Sequence, residues 1–352
     1  MGLDRLEARG FRCIGAAGLE PHADTNLIVG ENGSGKTTLL EAIHVIGTGR
    51  SFRVRDLGPL VQRGAEQFEL IGRTSHPRQL IEARGGSGGL QLRINEQALR
   101  GTAELASVLP VQALHPEMHA LIEGPPEGRR RFLDWGAFHV KQTYLDEWRR
   151  YHRSLRQRNV ALKEGMPRRE LDAWDAELIR AGAAVDRDRE EYVGLLAMRF
   201  VEVSTALLGL TSELHYRRGW PEGQTLDEAI RASAERDRLL KATQVGPHRA
   251  DLEIRLGAAP ARHAASRGQQ KMLALSLGLA QAQIIARATT RQLVLLLDDP
   301  VAEVDSEGAA RLATEVARVP AQRFITGLSR DSYSCEVSRV FHVKQGEFTQ
   351  VI

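Results

Sequence analysis

The sequence predicts an α/β fold in which both ends of the chain build one phosphate-binding head, with a strand-rich lobe and a helical arm placed between them. Three observations predict it. The glycine-rich loop Gly30-Glu31-Asn32-Gly33-Ser34-Gly35-Lys36-Thr37 lies between an apolar run and a helix-like segment. The all-apolar run Leu293 to Leu297 ends in Asp298-Asp299 near the far end of the chain. Between the two, a pair of stretches with helical periodicity flanks the break Gly165-Met166-Pro167.

Taken in chain order, Leu27-Ile28-Val29 reads as a buried strand and Thr38 to Ile43 as the first turns of a helix, the context a phosphate loop requires. Glycines 30, 33 and 35 let the backbone curl so that successive N–H groups converge on phosphate oxygens, and the helix N-terminus adds its positive end. Residues Gly30 to Thr38 are therefore the candidate nucleotide-binding stretch, with Lys36 reaching the β- and γ-phosphates and the Thr37 hydroxyl on Mg²⁺. Residues from roughly 66 to 113 are strand-rich, and Gly85-Gly86-Ser87-Gly88-Gly89 is expected to be a hairpin loop, since no helix or lysine follows it.

The arm is predicted from spacings of three and four. Leu145, Trp148, His152, Leu155, Asn159 and Leu162 form one series, and Leu171, Trp174, Leu178, Ala181, Val185, Asp188, Tyr192 and Leu195 the other. Two such helices around a short break are expected to fold back as an antiparallel hairpin. Residues 129–163 carry ten Lys or Arg against three Asp or Glu. Arg149, Arg153 and Arg156 fall on one helical face with Arg150 and Arg158 nearby, either a stripe that tracks phosphates or a solvated face paired with acids elsewhere. Arg129-Arg130-Arg131 and Gly246-Pro247-His248-Arg249 lie at the joins, where they could anchor the arm, touch DNA or couple the two.

Ser266-Arg267-Gly268-Gln269-Gln270 precedes an apolar helix over Met272 to Ile285, so its serine and glycine sit where a helix start offers N–H and hydroxyl groups to phosphate. Leu293 to Leu297 is expected to be a central parallel strand, with the aspartates at its carboxyl end. Asp298 is assigned to Mg²⁺ through water and Asp299 to the attacking water, which with Lys36 makes the candidate catalytic set.

The set formed by the glycine loop, "SRGQQK" and "LLLDDPVAEVD" resembles the ABC-type ATPase heads of SMC and related proteins. "GENGSGKTTLLEAIHVIGTGRSFR" at 30–53, "HPEMHALIEGPPEGRRRFLDW" at 115–135, "YHRSLRQRNVAL" at 151–162 and "GPHRADL" at 246–252 are similar, in this order, to stretches of the bacterial RecF recombination proteins. This resemblance spans essentially the whole chain. It implies an ABC-type P-loop ATPase head with an inserted arm: head residues 1–128, arm 129–241 and head 242–352. It also implies ATP and Mg²⁺ as cofactors and an ATP-dependent homodimer in which Ser266, Gly268 and Gln269 complete the partner's nucleotide site. Asp305 would lie at that interface and Gln112 would sense Mg²⁺ and the γ-phosphate, although a solvent-facing strand-end glutamine is the competing reading of Gln112. The implied role is weak, DNA-stimulated ATP hydrolysis on duplex or gapped DNA, acting with RecO and RecR to help load RecA in repair, fork recovery and the SOS response.

Two departures stand out. The histidine many ABC heads carry after the strand following the aspartates is replaced by Thr326 at most, which predicts slow or partner-dependent hydrolysis, and Pro300 follows the acidic pair as in transporter ATPases. A transporter ATPase subunit, an SMC-like structural clamp and a small-molecule kinase are the alternatives. The first should lack a basic arm, the second should need no RecR, and the third has no use for Ser266.

At 352 residues with a net charge of +3, the chain is long enough for two domains. Cys13 and Cys335 have no metal-ligand spacing, the histidines are scattered, no apolar run approaches bilayer length, and residues 1–11 lack a secretory pattern. A cytoplasmic protein without a membrane partner is expected.

Overall fold

The computed structural model describes residues 2–99, 101–302, 304–330 and 336–351; Cys335 lies outside the described residues. The strands β1 (Leu3–Phe11), β2 (Ile14–Leu19) and β3 (Thr25–Val29) precede α1 (Lys36–Thr48). Next come β4 (Gln67–Ser75), β5 (Arg78–Gly86), β6 (Gly89–Ile94), β7 (Gln97–Ala98), α2 (Ala103–Val108) and β8 (Val111–Leu114). The middle of the chain is largely helical: α3 (Ala120–Glu123), α4 (Pro126–Val140), α5 (Tyr144–Lys163) and α6 (Arg168–Leu208). It continues through β9 (Ser212–Arg217), α7 (Leu226–Leu240), β10 (Asp251–Leu256), β11 (Ala259–Pro260), α8 (Ala261–Ala264) and α9 (Arg267–Ala288). The last elements are β12 (Leu293–Leu297), α10 (Ser306–Ala317), β13 (Ala321–Gly327), β14 (Arg339–Lys344) and β15 (Glu347–Gln350).

The chain divides into two compact units, residues 1–118 with 285–352, and residues 119–284. In the first, an antiparallel sheet of order β2-β1-β4-β5-β6-β7 and a sheet of order β15-β14-β3-β13-β12-β8 share one core. The second sheet is parallel except for the β14–β15 hairpin. The N-terminal strand β3 lies between the C-terminal strands β13 and β14, so the two chain ends form one sheet. Helix α1 packs on both sheets, which is why it is apolar on nearly every side: Leu39, Leu40, Ile43, Val45 and Ile46 are fully buried. A Cβ at Gly47 would fall 2.1 Å from Val111 Cγ2, so the bare backbone lets α1 lie directly on β8.

The second unit contains the predicted helical hairpin. Helices α5 and α6 pack together, and Ala161, Leu162, Met166, Leu171 and Trp174 close its tip. The buried face of α5 is Tyr144, Tyr151, Ser154, Leu155, Arg158, Ala161 and Leu162, so the expected seam is rotated and shares only Leu155 and Leu162 with the observed one. Beyond Tyr192 the seam on α6 moves to Leu196, Phe200, Val203 and Leu207 and leaves Leu195 exposed, because this half of the helix packs on β9 and α4 instead of α5.

The unit boundaries at 118/119 and 284/285 differ from the joins expected at 128/129 and 241/242. Strand β10 pairs along its whole length with β9, and Asp251 at its start accepts two hydrogen bonds from Arg129, Nε at 2.7 Å and Nη2 at 3.0 Å. Arg130 donates to the Ala250 carbonyl at 2.9 Å. Tyr151 Oη lies 2.6 Å from His248 Nδ1, so the two basic joins are anchors within the helical unit. No helix among the described residues is long and apolar enough to cross a membrane.

Candidate nucleotide site

The site grows from the end of β3. Gly30 leaves the strand where a Cβ would come 2.4 Å from the Val343 carbonyl oxygen and 2.8 Å from Ser34 Oγ. Gly33 (φ 78°) and Gly35 (φ 117°) take left-handed conformations that a side chain would strain, and Gly35 caps α1. The Gly346 N–H, from the β14–β15 turn, donates to the Ser34 carbonyl at 2.8 Å and pins the loop from outside. Ser34 Oγ is buried with no hydrogen-bond partner among the described residues. A narrow loop of glycines around a buried, unmatched hydroxyl is a cradle suited to phosphate oxygens.

Lys36 opens α1 and is buried, its ammonium donating to the carbonyls of Gly30 at 2.7 Å and Glu31 at 2.9 Å. Burial lowers its pKa, and the charges of Asp299 and Asp298 oppose that shift. Thr37 Oγ1 meets both carboxylate oxygens of Asp298, at 2.8 and 3.0 Å, so the loop and the acidic pair expected from opposite chain ends are in direct contact. Thr38 is buried behind them, 3.5 Å from Cys13 Sγ.

Thr326 joins this network. Its hydroxyl donates to Asp298 Oδ1 at 3.0 Å and accepts the Asp299 N–H at 2.8 Å. Asp299 sits at φ 47°, uncommon for a residue with a Cβ, and this N–H bond helps hold it there. Thr326, the position where the resemblance implied a histidine, thus hydrogen-bonds to both aspartates. Sequence alone shows a threonine near the end of an apolar segment; only the β12–β13 register brings it beside Asp298.

Gln112 needs correction. It is buried on β8 in register with Leu295, three residues short of Asp298 and roughly 10 Å down the strand from the site's mouth. It is neither at the phosphates nor solvent-facing.

In the helical unit, Ser266 and Gln269 form a reciprocal cap at the start of α9. The Ser266 N–H donates to Gln269 Oε1 at 2.8 Å, and the Gln269 N–H to Ser266 Oγ at 3.3 Å. Ser266 and Gly268 are exposed, while Gln269 is committed to the cap. In the first unit, Asp305 caps α10, its Oδ1 accepting the Gly308 N–H at 2.7 Å.

The predicted basic stripe is reduced. Arg149 and Arg150 are exposed but lie 3.8 Å from Asp146 and 3.3 Å from Glu147. Arg153 and Arg156 are exposed and form no ion pair among the described residues. Arg158 is not available to DNA: it is 1% exposed and donates to Asp175 at 2.6 Å, Asp237 at 2.6 Å and Thr243 Oγ1 at 2.8 Å.

Residues 2–349 match the RecF/RecN/SMC N terminal domain family. The chain is similar to the DNA replication and repair protein RecF of Thioalkalivibrio sulfidiphilus, 39% identical with 98% of each chain covered. It is equally similar to the RecF of Azotobacter vinelandii, 39% identical with 99% of each covered. A solved structure of the recombination mediator protein RecF with ATP in the RecFOR pathway superposes with a TM-score of 0.88 at 27% identity, covering 100% of this chain and 98% of that one. An SMC head bound to the C-winged helix domain of ScpA shares the fold, at a TM-score of 0.64 and 17% identity over 100% of this chain and 97% of that one.

Proposed function

The chain belongs to the RecF family, and from that premise we propose that it is an ATP-dependent DNA replication and repair protein whose ATPase cycle switches a homodimer on DNA. The observation that carries this reading is the contact of Thr37 with Asp298, with Thr326 bracing Asp298 and Asp299. Hydroxyl and carboxylate meet there as a magnesium–triphosphate site requires, beside a phosphate cradle with an unmatched Ser34 hydroxyl.

In this reading the loop N–H groups and Lys36 bind the phosphates, Lys36 exchanging its two carbonyl partners for phosphate oxygens. Thr37 and Asp298 would hold Mg²⁺, which when bound neutralises charge on the β- and γ-oxygens. Asp299 orients the attacking water, aimed by its backbone bond to Thr326. Ser266 and Gly268, exposed at the start of α9, cap the γ-phosphate bound to a second copy, so ATP affinity and dimerisation are linked. With no histidine at position 326, turnover is slow and DNA-stimulated. Arg149, Arg150, Arg153 and Arg156 contribute to binding duplex or gapped DNA. In this reading the protein acts in the cytoplasm with RecO and RecR to help load RecA in repair and the SOS response.

Sedimentation without nucleotide, with ADP and with a non-hydrolysable ATP analogue tests this for wild type and Ser266→Arg. Dimer with the analogue alone, lost in the variant, is the expected result. The same state in all samples would replace the switch with an enzyme acting within one chain.

A further inference from the structure

Helix α7 ends in an exposed apolar pair. Leu239 is 82% exposed, more than any other large apolar side chain among the described residues, and Leu240 is 51% exposed. Apolar side chains scattered singly over a surface need no explanation, but two adjoining ones at the end of a firmly held helix do. This end is held on both sides of the pair. Asp237, fully buried, accepts from Arg158 at 2.6 Å and from the Gln244 N–H at 2.9 Å. Lys241 takes the left-handed conformation (φ 52°), and its N–H donates to the Arg238 carbonyl at 3.3 Å. Thr243 then donates its N–H and its hydroxyl to Asn159 Oδ1 on α5, each at 2.8 Å. Next to Asn159, Val160 is itself 51% exposed.

Cations flank the leucines. Arg236, Arg238 and Lys241 are exposed, and none forms an ion pair among the described residues. Asp237 does not offset them, because it is turned inward to Arg158. Glu235 is the one exposed acid on the last two turns of α7.

These features choose between classes of partner. A phosphate backbone is met by cations alone, as Arg149, Arg153 and Arg156 offer on α5, and leaves two leucines uncovered. A folded domain needs about 800 Å² on each side for a stable interface, far more than this helix end supplies. The stretch from Arg236 to Lys241 spans about 8 Å of helix axis, which matches a few residues of an extended peptide. Positive charge around an apolar centre is complementary to a segment that is both acidic and apolar.

We propose that the end of α7 is a docking site for a short, flexible protein segment that combines acidic side chains with large apolar ones. The segment's carboxylates pair with Arg236, Arg238 and Lys241, while its apolar side chains cover Leu239 and Leu240. The receiving surface is already ordered, so only the segment loses conformational freedom on binding. None of these residues belongs to the nucleotide site, and docking needs no ATP.

The test is fluorescence anisotropy of the full chain with a labelled short peptide in which Glu alternates with Leu and Phe. Two control peptides replace its Leu and Phe by Ser, or its Glu by Gln. Two double variants, Leu239→Ser with Leu240→Ser and Arg236→Glu with Lys241→Glu, change only exposed side chains and leave Asp237 and Thr243 to hold the helix end. Expected is saturable binding of the acidic and apolar peptide below ~1 mM, weakened at least ~10-fold by either double variant and by either change to the peptide. No saturation below ~1 mM, or wild-type affinity in the leucine variant, overturns the assignment. Two further results overturn it by naming another occupant. A leucine variant that keeps peptide binding but loses affinity for duplex DNA gives the surface to DNA. Phosphatidylglycerol vesicles that bind wild type more tightly than the peptide does, and fail to bind the leucine variant, give it to a membrane.

Discussion

Replacing Arg158 with methionine separates a structural arginine from a DNA-reading one. The substitution keeps most of the aliphatic volume and removes the guanidinium. Of the partners left behind, Asp175 is partly exposed and can be hydrated, but the Asp237 side chain is 0% exposed. Asp237 retains the Gln244 N–H at 2.9 Å and the Ser233 hydroxyl at 3.3 Å. Breaking a buried ion pair by removing one partner costs about 3–5 kcal/mol, and two surviving neutral donors place this case near the lower end, about 3 kcal/mol. Urea denaturation followed by circular dichroism should show a clear fall in the midpoint for the helical unit, and adding Asp237→Asn should recover part of it. The salt dependence of DNA binding, measured below the transition, should be unchanged. A variant that unfolds like wild type but loses about one unit of salt slope would refute the argument and return Arg158 to the DNA-binding surface.

Replacing Arg149, Arg153 and Arg156 together should instead leave the urea midpoint nearly unchanged and flatten the salt slope of DNA binding, by up to about 0.9 for each phosphate that is no longer neutralised; an identical slope would make the arm structural. Thr326→Val should keep nucleotide affinity while turnover falls by roughly 10-fold or more, since Asp298 loses a donor and the Asp299 N–H its acceptor; unchanged turnover would show that Thr326 does not aim the pair. Asp299→Asn should bind ATP, turn over slowly and accumulate dimer in sedimentation, and wild-type turnover would remove Asp299 from catalysis. Acid should destabilise the helical unit. Burial lowers the pKa of His139, His152 and His248 to about 4, whereas in the unfolded chain these rings protonate near 6.5. The unfolded state therefore binds more protons between those values, so stability is full above about pH 6.5 and falls as pH drops towards about 4. His248→Gln should shallow the fall in melting temperature across that window, and an equally steep fall would exclude His248 as a contributor.

The phosphate loop and the aspartates are readable from sequence because each function there is tied to contiguous residues: glycines that curl, a lysine at the helix start, acids after an apolar strand. Arg158 is not readable, since its burial depends on Asp237 and Thr243, which no periodicity along α5 reveals. A shift of one position rotates a helical face by about 100°, enough to move an arginine from solvent to core. Similarly, "GPHRADL" reads as head because the pairing of β10 with β9 is invisible until both strands are placed. Thr326 belongs to a third class, residues whose roles come from register: it is ordinary in its own segment and acquires meaning by standing level with Asp298.

That dependence on register also says when the site can exist. Strand β3, which launches the phosphate loop, is hydrogen-bonded on one side to β13 and on the other to β14, both near the far end of the chain. The loop's outer pin, Gly346, comes later still. Until those strands arrive, α1 has no second sheet to cover its apolar sides, and Thr37 has no Asp298 to meet. The helical unit is continuous over residues 119–284, and even its distant contacts, such as Arg129 with Asp251, close shorter loops than those that join β3 to β13. The nucleotide site is therefore a late product of folding, and its integrity reports that both ends of the chain have joined.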